Sequence, residues 1–341
     1  MYERLHGITF FSSRPHGVHL AFANSVNARI YLFKFDGKTK KPYSELIKAP
    51  FAKKPDSGVY ICESPLYLFM VVPQKLMHRD IKIILMATSP FRMYFEKAGK
   101  PGQILMRWAL GHVDGVIAVS EYVANFYRGR VRCPVKVAYP YADVSRYDGN
   151  YADLSSRNIV FLGKMMPYKG VDILIEAFRM IRRRSGDSKL YLMGHFKDSS
   201  LVLPRDEGLE AVGAVDDPRE YFSRASVYMH PARDEAFGIS IIEACAAGLL
   251  PIVSSHTGAA EVIGPVCQDL VVDSLDPECY CNRALEVMDW DMEKKIRISS
   301  ALKAVARRFT KEASIGTFKR TFEELVDEVG NKDRRNNADD K

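Results

Sequence analysis

The chain has 341 residues, 47% hydrophobic and 27% charged, which fits two ordinary globular domains. No apolar run reaches the roughly 18 residues that a membrane-spanning helix needs, and residues 1–7 lack the basic head and apolar middle of a signal peptide, so a cytoplasmic location is expected. The net charge of +7 is uneven: residues 1–150 hold 22 Lys and Arg against 11 Asp and Glu, while the rest hold 27 against 31. The basic part should attract anionic partners, but no zinc knuckle, RNP-like strand or basic heptad helix accompanies it, so nucleic acid is not expected.

In chain order, residues 7–12 form a strand, 13–17 a turn, 18–25 a short helix and 28–35 a second strand. The turn carries one glycine, Gly17, after His16; dinucleotide sites want three there. Residues 36–55 are Lys-rich and irregular and read as a loop. A strand (58–63), a helix (66–77) and a buried strand (81–87) follow. Residues 91–110 carry two helical segments broken at Gly99–Gly102. Then come a strand (113–119) closing on Ser120, a helix (121–128) and a strand (135–139). The polar stretch 142–156 reads as the linker. Apolar strands alternating with helices imply a parallel sheet covered on both faces.

The second half repeats that logic. Strands at 159–162, 189–193, 209–214, 227–229, 250–254 and 270–272 alternate with helices at 171–184 and 218–225 and a helix start at 259–263. Helices at 277–288, 292–308 and 311–329 close the fold, and the polar end 331–341 reads as disordered. The six cysteines show no zinc spacing and read as reduced thiols.

One stretch organises the second half: His-Pro-Ala-Arg-Asp-Glu-Ala-Phe-Gly-Ile-Ser-Ile-Ile-Glu-Ala-Cys-Ala-Ala-Gly, residues 230–248. A helix starts near Phe237 or Gly238 and stops at Gly248. It is apolar on nearly every side, so it is buried, and Glu243 inside it needs a partner or a ligand. Glu235 precedes it. The free amides at Phe237, Gly238 and Ile239 suit a phosphate. The two acids would repel phosphate, so they are expected on hydroxyls. After the 159–162 strand, Gly163-Lys-Met-Met-Pro-Tyr-Lys-Gly170 sits where ligands of such sheets lie. Lys164 and Lys169 there could hold a diphosphate without metal. Asp289-Trp-Asp291 matches an acid-x-acid metal pattern, but its place between two helices makes it a helix cap.

At these residues the chain resembles the retaining GT-B glycosyltransferases of family 4 (glycosyl transferases group 1). Phe161-Leu-Gly-Lys164 with Lys169-Gly-Val-Asp-Ile-Leu-Ile-Glu-Ala-Phe178 is similar to that family's donor segment. Glu235 and Glu243 reproduce its acid-x7-acid motif, Gly258-Ala-Ala-Glu261 its following Gly-Gly-x-x-Glu element, and Ala118-Val-Ser120 its strand-end serine. The likeness runs nearly unbroken from about 157 to 264 and is thin in the first half. The family's strand-end histidine is replaced by Ala87-Thr-Ser89, and its Pro-Asn-Gly-x-Asp by Pro140-Tyr-Ala-Asp143.

The resemblance implies an α/β chain of GT-B architecture, with two doubly wound Rossmann-like domains facing a cleft. Residues 1–147 would be the acceptor domain and 148–310 the nucleotide-sugar donor domain. A closing helix, 311–330, would pack back toward the first domain, followed by a disordered tail, 331–341. It implies sugar transfer from a nucleotide-sugar, UDP- or GDP-linked, to an acceptor hydroxyl, with no cofactor and no metal. Glu235, Lys164 and Lys169 would be catalytic. Gly17, Gly163, Phe237, Gly238, Ile239 and Glu243 would hold the donor, and His16 and Ser120 would lie on the acceptor side. The alternative is a catalytically weak, sugar-nucleotide-binding partner subunit. The acceptor would be a glycan, a lipid-linked sugar or a phosphorylated compound. Two stretches, 66–72 and 91–97, mix aromatic with apolar or basic residues and could meet an anionic membrane surface.

Overall fold

The computed structural model describes residues 7–13, 15–33, 58–89, 91–149, 152–195 and 206–339. The segment read as a loop at 36–55, the first six residues and the last two lie outside them.

The chain divides into two compact units, residues 1–140 with 314–341, and residues 141–313. The first unit holds a six-stranded parallel sheet, β1 (Ile8–Ser12), β2 (Arg29–Leu32), β3 (Val59–Cys62), β4 (Lys82–Ala87), β5 (Gly115–Ala118) and β6 (Val135–Val137). Its order is β2-β1-β3-β4-β5-β6. β3 and β5 are buried at every residue, as unbroken apolar runs between two helical layers require. The chain leaves β1 toward β2 and then returns to β1's other side at β3. That reversal opens a crevice at the carboxyl ends of β1 and β3.

The second unit repeats the plan with β7 (Ile159–Leu162), β8 (Leu190–Met193), β9 (Leu209–Gly213), β10 (Val227–His230), β11 (Leu250–Ser254) and β12 (Val271–Val272), in the order β12-β11-β10-β7-β8-β9. Here the reversal falls between β7 and β10. The helix Val171–Ser185 buries Ile173, Leu174, Ala177, Phe178 and Ile181 against this sheet, the 3–4 spacing read from the sequence. Arg182, Arg183 and Arg184 in its last turn suit the negative end of the helix dipole.

Several sequence expectations shift. The division falls between Pro140 and Tyr141 rather than at 147/148. Polar composition hid two anchors in 141–147: Val144 and Tyr147 are buried, and Tyr147 stacks on Phe222 with ring centroids 5.7 Å apart. The Ala142 amide also bonds the Phe309 carbonyl at 3.0 Å. The last helix runs Lys311–Asp339, through most of the stretch read as a tail. From Ser314 on, it belongs to the first unit. Phe318 stacks on Phe22 at 4.4 Å, and Leu325 fills the space over Gly115, where a Cβ would come within 2.8 Å of it.

The 66–72 stretch is core rather than interface: Leu68, Met70, Val71 and Val72 are buried, and only Leu66 at its edge is exposed. In 91–97, Phe91 and Phe95 are buried while Arg92, Tyr94 and Lys97 face outward. The larger exposed apolar group lies on the next helix, Gly99–Leu110, where Ile104, Leu105 and Trp108 share one face. No helix among the described residues is long and apolar enough to cross a membrane.

Candidate functional site

Three loops converge at the carboxyl ends of the second unit's central strands. The loop after β7 carries Gly163, Lys164 and Lys169; the loop after β10 carries Glu235, Phe237 and Gly238; the loop after β11 carries Ser255–Ala259. Backbone and side-chain bonds stitch them together. The Arg233 amide bonds the Tyr168 carbonyl at 2.8 Å, and the Arg233 guanidinium grips Asp172 with two bonds, 2.6 and 2.7 Å. The Glu235 amide bonds the His256 carbonyl at 2.9 Å, and the Gly258 amide returns to the Glu235 carbonyl at 3.0 Å.

Gly170 makes this convergence possible. It sits at φ +69°, and a Cβ there would fall 1.8 Å from the Pro231 carbonyl oxygen. Only a residue without a side chain lets the two loops approach so closely.

The approach delivers Lys169 to Glu235. The Lys169 ammonium donates to the Glu235 carboxylate, and both side chains are largely buried. Burial, with Lys164 pressing the same way, pulls Lys169 down to about 7, while the touching carboxylate favours the charged form. Lys164 is exposed. Two lysines close enough to feel each other's charge form a positive centre that an anion would relieve.

Next to this pair, the helix Ile239–Ala246 begins at Gly238, φ +96°. No side chain caps that start. Its first amides, at Ile239 and Ser240, therefore have no intrahelical partner and carry the positive end of the helix dipole. Lys164, Lys169, Glu235, Gly163, Phe237, Gly238 and Ile239 thus gather at one switch point.

Glu243 faces a different neighbour. It lies on the second turn of the helix, half-buried, toward Asp143 and Arg146, and forms no ion pair among the described residues. Burial raises its carboxyl to about 7, with Arg146 opposing the rise. The Asp143 amide also opposes the rise, but burial outweighs it, and a carboxylate so placed is costly to ionise until further donors reach it.

The remaining candidates stand in the first unit. His16 is exposed and caps the helix Gly17–Ser25, its Nδ1 accepting from the Val18 amide at 3.4 Å. Gly17 has open space where a Cβ would be, so its position does not require glycine. Ser120 is fully buried, and its hydroxyl accepts from the Val123 amide at 3.1 Å to cap the helix Glu121–Arg128. In the second unit, Asp291 likewise caps a helix, Met292–Ala306, through the Lys294 amide at 2.7 Å.

Sequence reasoning passed over His230. It ends β10 fully buried, stacked on Phe161 with ring centroids 5.2 Å apart. Its Nε2 makes no hydrogen bond among the described residues, although Glu235 Oε2 lies 3.4 Å away. Burial, reinforced by Lys169, pushes it well below its ordinary value, so it is neutral. A histidine ending an otherwise apolar strand, just before a charged loop, was the available signal.

Residues 156–289 match the family model described as glycosyl transferases group 1. An uncharacterized glycosyltransferase of Methanocaldococcus jannaschii is 25% identical over 235 residues, 66% of this chain and 64% of that protein. A D-inositol 3-phosphate glycosyltransferase of Corynebacterium kroppenstedtii is 24% identical over 220 residues, 56% of this chain and 48% of the relative. The matched stretches thus span less than two thirds of these relatives' lengths. HepE from Anabaena, solved with UDP and glucose, superposes with a TM-score of 0.71 over 94% of this chain and 99% of its own, at 14% identity. The fold is the two-domain α/β fold of the GT-B type.

Proposed function

From a chain whose residues 156–289 carry the group 1 glycosyl transferase segment, we infer an enzyme that moves a sugar from a nucleotide-sugar to an acceptor hydroxyl with retention at the anomeric carbon. One observation carries this reading: the contact between Lys169 and Glu235, with Lys164 nearby, at the β7/β10 switch point. Negative charge grows on the diphosphate as the glycosidic bond breaks. Preorganised lysines and helix-start amides at that place stabilise it more in the transition state than in the ground state.

In this reading, donor binding exchanges one set of partners for another. Lys169 turns from Glu235 to the diphosphate, and Glu235, released, accepts the sugar's hydroxyls. Glu243 accepts the ribose hydroxyls, which add donors to the Asp143 amide it already has. Lys164 and Lys169 provide the charge, so no metal is required. The UDP and glucose bound by HepE favour a UDP-hexose donor. The basic 1–150 segment favours an anionic acceptor, a phosphorylated polyol or a lipid-linked sugar. It also favours contact with an anionic membrane through the exposed face of Gly99–Leu110, where Lys100 and Arg107 flank the apolar side chains.

The test is incubation with labelled UDP-glucose, UDP-N-acetylglucosamine and GDP-mannose, with and without acceptors, in EDTA. Transfer or slow donor hydrolysis, insensitive to the chelator, is expected. Nucleotide binding with neither reaction across the panel would mean a sugar-nucleotide-binding subunit instead. Activity lost in EDTA and restored by magnesium or manganese would overturn the metal-free part.

A further inference from the structure

The first unit holds a second polar group at its own switch point. Ser12 ends β1 and is fully buried; Glu63 follows β3 and is 9% exposed. The Ser12 hydroxyl donates to Glu63 Oε2, and His19 Nδ1 bonds Glu63 Oε1. The Thr88 hydroxyl, past the end of β4, donates to the Glu63 carbonyl at 3.2 Å. Burial by itself would raise the Glu63 carboxyl, but the bonds from His19 and Ser12 outweigh it and hold the group below its ordinary range.

An ionised carboxylate held on both oxygens fixes the ring beside it. His19 must keep its proton on Nδ1 to satisfy Glu63 Oε1. In the neutral ring that leaves Nε2 with its lone pair, a hydrogen-bond acceptor. Nε2 is the ring nitrogen that Glu63 leaves free, and the side chain is not sealed off, with 15% of it exposed beside the His16 ring, 5.7 Å away between centroids. A buried charge of this kind adds little to folding, since apolar residues of similar volume would serve as well. Its place at the strands' carboxyl ends, where α/β sheets bind ligands, gives it another use.

We propose that Ser12, Glu63 and His19 form a binding site for an uncharged hydroxyl of a polyol or sugar, any phosphate of that molecule lying outside this group, with His19 Nε2 accepting the hydroxyl proton in a hydrogen bond. The group's own charge favours that ligand. With the ring neutral, Glu63 leaves the site net negative; with the ring protonated, it is net neutral. Neither state gives the group a net positive charge for phosphate, and in the neutral ring a hydroxyl donor meets a ready acceptor at Nε2. If the sugar transfer inferred above is right, this hydroxyl belongs to the acceptor, and His19 is an acceptor-binding residue.

The experiment is nitrogen-15 NMR of the histidine side chains, with His19 assigned by loss of its signals in His19→Gln. The free protein should show His19 as the Nδ1–H tautomer. Its Nε2 resonance should move saturably on titration with myo-inositol or methyl α-glucoside and stay still with inorganic phosphate. Glu63→Gln should erase the tautomer preference and weaken the response about tenfold; where that variant fails to fold by circular dichroism, the wild-type titrations decide. A response to phosphate alone, to none of the probes, or an Nε2–H tautomer overturns the proposal. UDP affinity, read separately, should stay within about twofold in His19→Gln. A wild-type protein that shows the NMR response but transfers no sugar keeps this site and removes only the transferase reading.

Discussion

The two sheets share one plan and fill their switch points with opposite chemistry. In the second unit, two lysines, a glutamate and an uncapped helix start surround the β7/β10 crevice. In the first, a serine, a glutamate and a histidine occupy the β1/β3 crevice, and among the described residues no lysine or arginine joins their hydrogen-bonded group. Topology chooses where a doubly wound sheet binds, and the side chains at the strand ends choose what. The positive centre suits a diphosphate; the saturated carboxylate–imidazole pair suits a hydroxyl. Among the described residues, exposed basic side chains of the first unit stand on helices such as Gly99–Leu110, with Lys100 and Arg107.

The sharpest way to break this contrast is Lys169→Met. If positive charge at the second switch point supports bond cleavage, turnover with the best donor should fall by about a hundredfold or more. The Glu235 carboxylate, left buried without its partner, should also cost the fold about 3 kcal/mol. Adding Glu235→Gln should restore much of the stability but not the turnover, as read by denaturant melts beside rate assays. Recovery of both would reduce the pair to a structural one.

A second test uses pH. The Glu243 carboxyl is raised by burial to about 7, above its ordinary 4.5. The native state therefore keeps a proton that the unfolded chain has lost. This group's contribution to stability is undiminished below about 4.5, declines as pH rises toward 7, and is constant above. Ribose hydroxyls favour the ionised form, so UDP affinity should rise through about 7 on this account. Lys169 runs the other way: its proton is lost as pH rises through about 7, and diphosphate affinity falls. Calorimetric titration should give a bell, with about tenfold lost per pH unit on each side. Glu243→Gln should flatten the acid limb, and Lys169→Arg should carry the alkaline limb upward. A flat profile in the wild type would sink both assignments.

A smaller effect tests the first unit's surface. Ile104→Ser with Trp108→Ser should weaken co-sedimentation with acidic vesicles about fivefold to tenfold, each side chain burying a modest apolar area, and should leave the melting curve nearly unchanged because both are exposed. Equal, negligible binding of the wild type to acidic and neutral vesicles would remove the membrane. The smallest effect should come from Arg233→Ala. Its pair with Asp172 is half-exposed, so about 1 kcal/mol or less of stability is expected. A larger loss would show that the stitched loops depend on this pair rather than on the backbone bonds beside it.

The two switch points also differ in how far they could be read beforehand. Lys164 and Lys169 fall within one short turn, and Glu235 and Glu243 within one loop and helix, so local spacing exposed them. The Ser12–Glu63 contact joins residues 51 apart and His19–Glu63 residues 44 apart, and no local pattern marks such a meeting. It follows only once β1 and β3 are known to be neighbours. The same limit explains His230, whose orphaned nitrogen becomes visible only once β10 is known to be buried beside Phe161 of β7. The alternation of strands and helices was legible because buried parallel strands are plain apolar runs. Tyr147 and Val144 were not, since two anchors in a polar stretch leave no period.

The closing helix, finally, sets an order of events during synthesis. The second unit is continuous in sequence and can fold as soon as residue 313 has left the ribosome. The first begins earlier and finishes later, because the ring that covers Phe22 and the side chain that fills the space over Gly115 come from Phe318 and Leu325. Until those residues emerge, the first sheet keeps part of its apolar face uncovered, a state open to aggregation or chaperone capture. A ribosome stalled with residue 313 just outside its exit should therefore present a protease-resistant second unit and a cleavable first one. Release of the last helix should protect both.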